Sequence, residues 1–169
     1  MEKLWAPWRM EYILSGEEAA EECIFCRFPA EGPEHHQQRY ILYADAQAFV
    51  ILNKFPYNNG HLMVVPRAHV ANLNELAEAD FVALSDLLRG AVEAMQRALA
   101  PQGMNIGMNL GRVAGAGIDA HCHWHVVPRW NGDTNFMPVI GEAKVMSEHL
   151  DATYQRLLPH FAQLPKPHP

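Results

Sequence analysis

A chain of 169 residues that is 49% apolar has the length of one domain and enough apolar side chains to build a core. Thirteen Lys+Arg against nineteen Asp+Glu give a net charge of −6, which disfavours a nucleic-acid polymer or an anionic membrane as partner, since both need clustered positive charge. No apolar run is long enough to span a bilayer, and the start Met1-Glu2-Lys3-Leu4-Trp5 lacks a secretory apolar stretch, so a cytoplasmic protein is expected.

In chain order, residues 1–22 read as an N-terminal arm. Trp5 and Trp8 are available for packing, and residues 16–22 form a solvated acidic stretch. Residues 29–38, rich in Pro, Gly, His and Gln, read as a loop that leaves His35 and His36 in solvent. Short apolar runs at 40–43 and 48–53 flank the turn residue Asp45, and a third at 61–65 stops at Pro66. From 80 to 100 the period becomes helical, with Phe81, Leu84, Leu88, Ala91, Met95 and Leu99 on one face. Pro101 and Gly103 end that helix, and a strand follows at 104–109. Residues 110–120 hold three glycines, Gly111, Gly115 and Gly117, and read as a close-approach loop. A strand at 122–127 ends at Pro128, and a last helix is expected from the N-cap Ser147 to about Phe161. The fold class expected is α+β, with an antiparallel sheet of about five strands, one long central helix and a C-terminal helix.

The run His121-Cys122-His123-Trp124-His125 carries the chemistry. Side chains alternate across a strand, so the three histidines share one face and Cys122 and Trp124 turn towards the core. A neutral imidazole attacks a phosphoryl centre at neutral pH, and a neighbouring imidazole serves the leaving oxygen. Three histidines on one strand also suit a catalytic divalent metal, and a wet sheet face could carry them with no role. The residues alone leave these three readings open. Cys23-Ile24-Phe25-Cys26 is half of a tetrahedral thiolate site, although a cysteine pair can also simply pack.

His121-x-His123-x-His125 resembles the signature of the histidine triad (HIT) superfamily. Asn53-Lys54-x-Pro56 with Gly60-His61-x-x-Val64-x-Pro66 is similar to that family's nucleoside-binding half, and Asn109-x-Gly111-x-x-Ala114-Gly115 to its phosphate loop. Leu4-Trp5-x-Pro7-x-Arg9 and Pro128-Arg129-Trp130-x-Gly132-Asp133-x-Asn135-Phe136 resemble the bacterial branch of diadenosine polyphosphate phosphorylases and hydrolases. The likeness implies a HIT domain over 23–164, with a frayed tail at 165–169.

The resemblance also implies roles. His123 attacks the α-phosphorus and becomes nucleotidylated, and His125 contacts the phosphate and the leaving side. Asn53 holds the ribose, His61 supports the site, and Asn109 with the backbone at Gly115, Ala116 and Gly117 holds phosphate oxygens. Trp130 shapes the far end of the pocket. The substrate is a nucleotide or dinucleoside polyphosphate, and the protein is a homodimer. Relatives with a cysteine pair bind structural zinc, which here implies Cys23, Cys26, His69 and His121 as ligands and removes His121 from the reaction. One departure stands out: Ala116-Gly117 offers no side-chain hydroxyl or amide where the family often has one.

Overall fold

Five apolar runs pair into one sheet in the computed structural model, which describes residues 22–133 and 148–164. They are β1 (Ile41–Ala44), β2 (Ala48–Leu52), β3 (Leu62–Pro66), β4 (Gly103–Met108) and β5 (Trp124–Arg129). Their spatial order is β1-β2-β3-β5-β4, and each neighbouring pair is antiparallel. The turn at Asp45 forms as its chemistry requires: Asp45 Oδ1 accepts the backbone N–H of Gln47 and of Ala48, each at 2.8 Å. The N-terminal arm with Trp5 and Trp8, Asn135, Phe136, Ser147 and the tail 165–169 lie outside the described residues.

β2 and β3 are buried along their whole length, so both faces of the sheet are covered there. Val50, Leu52, Leu62, Val64 and Val126 face two helices, α3 (Glu78–Leu99) and α4 (Leu150–Phe161), and meet Leu84, Ala91, Met95, Leu157 and Phe161. Their alternate neighbours Phe49, Ile51, Met63 and Val65 pack on the other face, against Phe25 of the short helix α1 (Ile24–Ala30). Each such side chain contributes about 1.5–3 kcal/mol by leaving water. The two layers are unequal. Two long helices close the first, whereas seven-residue α1 closes only part of the second. His125 lies opposite Met63 in the β3–β5 ladder, so its side chain belongs to the less covered face.

Several expectations are corrected. Residues 29–38 are not a simple loop: they hold the end of α1, a 3-10 turn at Pro33–His35 and the start of α2 (His36–Arg39), and His35 and His36 are half-buried. The buried face of α3 is Leu84, Leu87, Ala91, Ala94 and Met95, while Phe81, in the first turn, is 41% exposed. β4 is an edge strand and is mostly exposed, with Ile106 at 45%. The last helix starts at Leu150 behind the N-cap His149, two residues later than expected. β5 begins at Trp124, so His121 and His123 precede the strand and only His125 lies on it. Among the described residues no helix is long and apolar enough to cross a membrane.

Candidate active site

The hydrogen bonds of the histidines fix which ring nitrogen carries the proton in each. A carbonyl can only accept, so His123 Nδ1–H donates to the His121 carbonyl at 2.8 Å. That leaves the His123 Nε2 lone pair outermost. The opposite holds two residues on, at His125. His61 Nδ1 accepts the Tyr57 backbone N–H at 3.0 Å and faces the Asn53 carboxamide nitrogen at 3.4 Å. The neutral His61 proton is therefore on Nε2, which donates to His125 Nδ1 at 3.0 Å. His125 consequently presents an Nε2–H. The His123 and His125 rings are 4.8 Å apart at 75°, so a bare lone pair and an N–H donor stand side by side.

Burial favours the neutral form of these rings. His61 is fully buried and His123 is 4% exposed. Burial holds His123 below the ordinary histidine range, and burial with the nearby His123 brings His125 from 6.5 down to about 4.

His121 is turned away from this pair. Its Nε2–H donates to the Pro66 carbonyl at 2.8 Å, which leaves the Nδ1 lone pair 3.5 Å from Cys23 Sγ and 3.7 Å from Cys26 Sγ. His69 Nδ1 stands 3.2 Å from Cys26 Sγ. The four ligand atoms all lie within 4.8 Å of one another. In a tetrahedral zinc site with bonds of about 2.0–2.3 Å, neighbouring sulfur and nitrogen ligands are separated by about 3.5 Å. The donor set and its spacing therefore fit a structural ion. Burial and the adjacent Cys23 sulfur push the Cys26 thiol up. A metal on all three triad histidines does not fit. His121 points its lone pair at the sulfurs, and the protonated nitrogen of His125 faces the site.

Phe25 connects the two clusters. It lies between the cysteines in sequence, is 1% exposed, and packs its ring 5.4 Å from that of His121 and 4.9 Å from that of His123. Sequence reasoning missed it. An aromatic inside a cysteine pair was the available signal.

The remaining residues divide. Asn53 adjoins His61, and its Oδ1 accepts the Phe55 N–H at 2.9 Å. Asn109 follows β4 where Met108 pairs with Trp124, which places it alongside His123. The loop N–H groups of Gly115 and Ala116 are turned inward, donating to the carbonyls of Arg112 at 2.9 Å and Gly111 at 3.3 Å. A phosphate there would have to draw on the Gly117 N–H, on Asn109, or on an opening of that turn. Trp130 is not brought to the triad: it follows the far end of β5, roughly 16 Å along the strand from His125. There Asp133 binds Arg129 through two hydrogen bonds of 2.7 and 2.9 Å and accepts the Asn58 amide at 2.7 Å. The Arg129 guanidinium holds the Asp133 carboxyl down at about 2. Cys122 is 2% exposed and Trp124 packs on the helix side, both in packing roles as expected.

Comparison with known proteins matches residues 34–132 to the HIT domain. The chain is 33% identical over 172 residues to the AP-4-A phosphorylase of Mycobacterium tuberculosis, covering 98% of this chain and 87% of that protein. It is 29% identical over 109 residues to the adenosine 5'-monophosphoramidase of Schizosaccharomyces pombe, covering 64% and 75%. A zinc-bound histidine triad family protein from Mycobacterium smegmatis superposes with a TM-score of 0.66 at 25% identity, over 85% of this chain and 95% of that one.

Proposed function

Since the chain belongs to the HIT domain family, we propose that it cleaves a phosphoanhydride of a dinucleoside polyphosphate through a nucleotidyl-histidine on His123. The observation that carries this reading is the opposed tautomers of His123 and His125. The His123 Nε2 lone pair attacks the α-phosphorus, a phosphoramidate bond forms, and the P–O bond to the remaining polyphosphate breaks. His125 Nε2–H donates to a phosphate oxygen as charge builds there. A polyphosphate is a good leaving group, so a neutral donor is enough. A second nucleophile then takes the nucleotidyl group and restores His123. Zinc held by Cys23, Cys26, His69 and His121 would supply a structural anchor rather than Lewis-acid chemistry.

Full-length likeness to an AP-4-A phosphorylase favours inorganic phosphate as that second nucleophile. Product analysis with diadenosine tetraphosphate decides. ATP plus ADP, formed only when phosphate is present, is the expected result. ATP plus AMP without phosphate would make the chain a hydrolase. Nucleotide affinity without turnover would overturn the enzymatic reading altogether.

Two further outcomes follow from the relay. His61→Ala removes the donor to His125 Nδ1, allowing the ring to turn its lone pair towards the phosphate. A wrong tautomer is costly, so kcat should fall by about 10²-fold or more with a small change in KM. His61→Gln, which can restore an N–H donor, should recover part of it; equal losses in both variants would contradict the relay.

Protonated His125 would set a second N–H against the His61 N–H. With His125 held at about 4 and His123 also held below the ordinary histidine range, kcat/KM should show its acid limb below 6.5, with the His125 contribution near 4. The sign for stability is the same. Between about 4 and 6.5 the unfolded chain binds a proton at His125 that the folded chain does not, so stability falls as pH drops through that window. An acid limb near 6.5 in the pH–rate profile would contradict this.

A further inference from the structure

We propose that Cys23 and Cys26 are a redox-modification site: a hydroperoxide converts the pair to a disulfide, the metal ion is released, and the nucleophile His123 loses its fixed orientation. The inference rests on the structural-metal reading above and extends it to the nucleophile.

Three observations carry it. The two sulfurs belong to a cluster whose ligand atoms lie within 4.8 Å of one another, and the Cys26 N–H bonds the Cys23 carbonyl at 3.0 Å, so both cysteines sit on one tight turn. A disulfide needs Cβ atoms about 3.5–4.5 Å apart, and two cysteines on one turn approach that by side-chain rotation. The pair is also open to reagents. Cys23 and Cys26 are partly exposed and His69 is exposed, whereas the third cysteine, Cys122, is buried. Finally, the cluster is wired to His123 twice. The carbonyl of His121 accepts the His123 Nδ1–H at 2.8 Å, and Phe25, on the same helix as the cysteines, packs 4.9 Å from the His123 ring. Pulling the sulfurs together withdraws them from His121 and shifts Phe25, and each movement reaches His123.

The step balances. Two metal-bound thiolates give up one electron each and form the S–S bond. The hydroperoxide O–O bond takes both electrons with two protons, giving an alcohol (or water) and water. The metal leaves as a dication, and the ring lone pairs of His69 and His121 are freed.

The test uses the full chain loaded with zinc and titrated with hydrogen peroxide. Zinc release is followed with a chromophoric chelator, thiols are counted, the disulfide is located by peptide mass, and the ring nitrogens of His123 are followed by NMR. One zinc should leave for each two thiols lost, with a Cys23–Cys26 disulfide as product. The His123 nitrogens should pass from a single tautomer to an averaged signal, and a dithiol with zinc should reverse both changes. Turnover should fall about tenfold or more in step with zinc release. Cys122→Ala should keep the response and Cys23→Ser should lose it. The proposal is overturned by a chain that takes up no zinc, by a disulfide that leaves zinc bound, by first oxidation at Cys122, or by zinc loss with unchanged His123 signals. None of these readouts needs a substrate, so a chain inert towards every nucleotide would defeat the proposed activity and still test this site.

Discussion

Under the proposed mechanism, His123→Ala should lower the rate of ATP release from diadenosine tetraphosphate by about 10⁴-fold or more, because removal of the proposed nucleophile leaves only binding and electrostatic catalysis. The fold should survive. His123 lies outside both apolar core clusters, and its ring meets Phe25 and His125 on the less covered face of the sheet. Losing it leaves a small cavity beside Phe25, which costs about 1–3 kcal/mol. His125→Ala should be milder, since it removes a donor and not the bond-forming atom. Rate measurements paired with thermal melts separate catalytic from structural loss. On wild-type chain mixed with a slow substrate, acid-labile nucleotide attached at His123 is the direct sign of the intermediate. A His123→Ala variant that keeps a tenth or more of the wild-type rate would rule out the covalent route.

Much of the fold was legible because local chemistry and tertiary packing agree. Asp45 marks a turn in the sequence and closes the β1–β2 hairpin with its own carboxylate. The apolar period over 80–100 located α3 but set its face slightly wrong. Phe81 lies in the first turn, off the sheet, and Leu87 and Ala94 complete the buried stripe instead. α1 was not legible: it has seven residues, no side-chain cap and Pro29 within it, so contacts made elsewhere in the fold hold it. The site shows the same division. Alternation brought three histidines towards one region, yet it treats them as equivalent. What separates them are the Pro66 carbonyl, the His121 carbonyl and the Tyr57 N–H, which are backbone groups that no side-chain pattern records. The Asn58–Asp133–Arg129 network was missed for another reason: its members are 75 and 4 residues apart and individually look like surface polar residues.

Cys26→Ser should lower the bound zinc to near zero and the melting temperature by about 10 °C. The two layers of the sheet are unequal. The helix side is closed by α3 and α4 and does not touch the metal cluster, so the chain should remain folded. On the other side, α1 is held by Phe25, with Ile24 and Phe28 beside it, and by Cys26 and the preceding Cys23. With one thiolate gone the site falls below the closed four-ligand count of structural zinc, and α1 is left on its apolar contacts, Phe25 with Ile24 and Phe28. Undocking a buried phenylalanine costs about 3–5 kcal/mol, and a chain of this size loses about 2–4 °C for each kcal/mol. Hydrogen exchange should therefore quicken in α1 while β2, β3 and α3 stay protected. Unchanged zinc content in Cys26→Ser would place the metal elsewhere. Zinc loss with α1 still protected would show that its apolar contacts suffice to hold the helix. Since Phe25 and His121 both bear on His123, the variant should also lose kcat by about 10- to 100-fold, the range seen when groups supporting a functional ligand are removed. KM should change little, because Asn53 and Asn109 do not depend on α1 for their positions in β2–β3 and β4–β5. A split of that kind, in kcat and not in KM, is what distinguishes an anchor for the nucleophile from a general loss of structure.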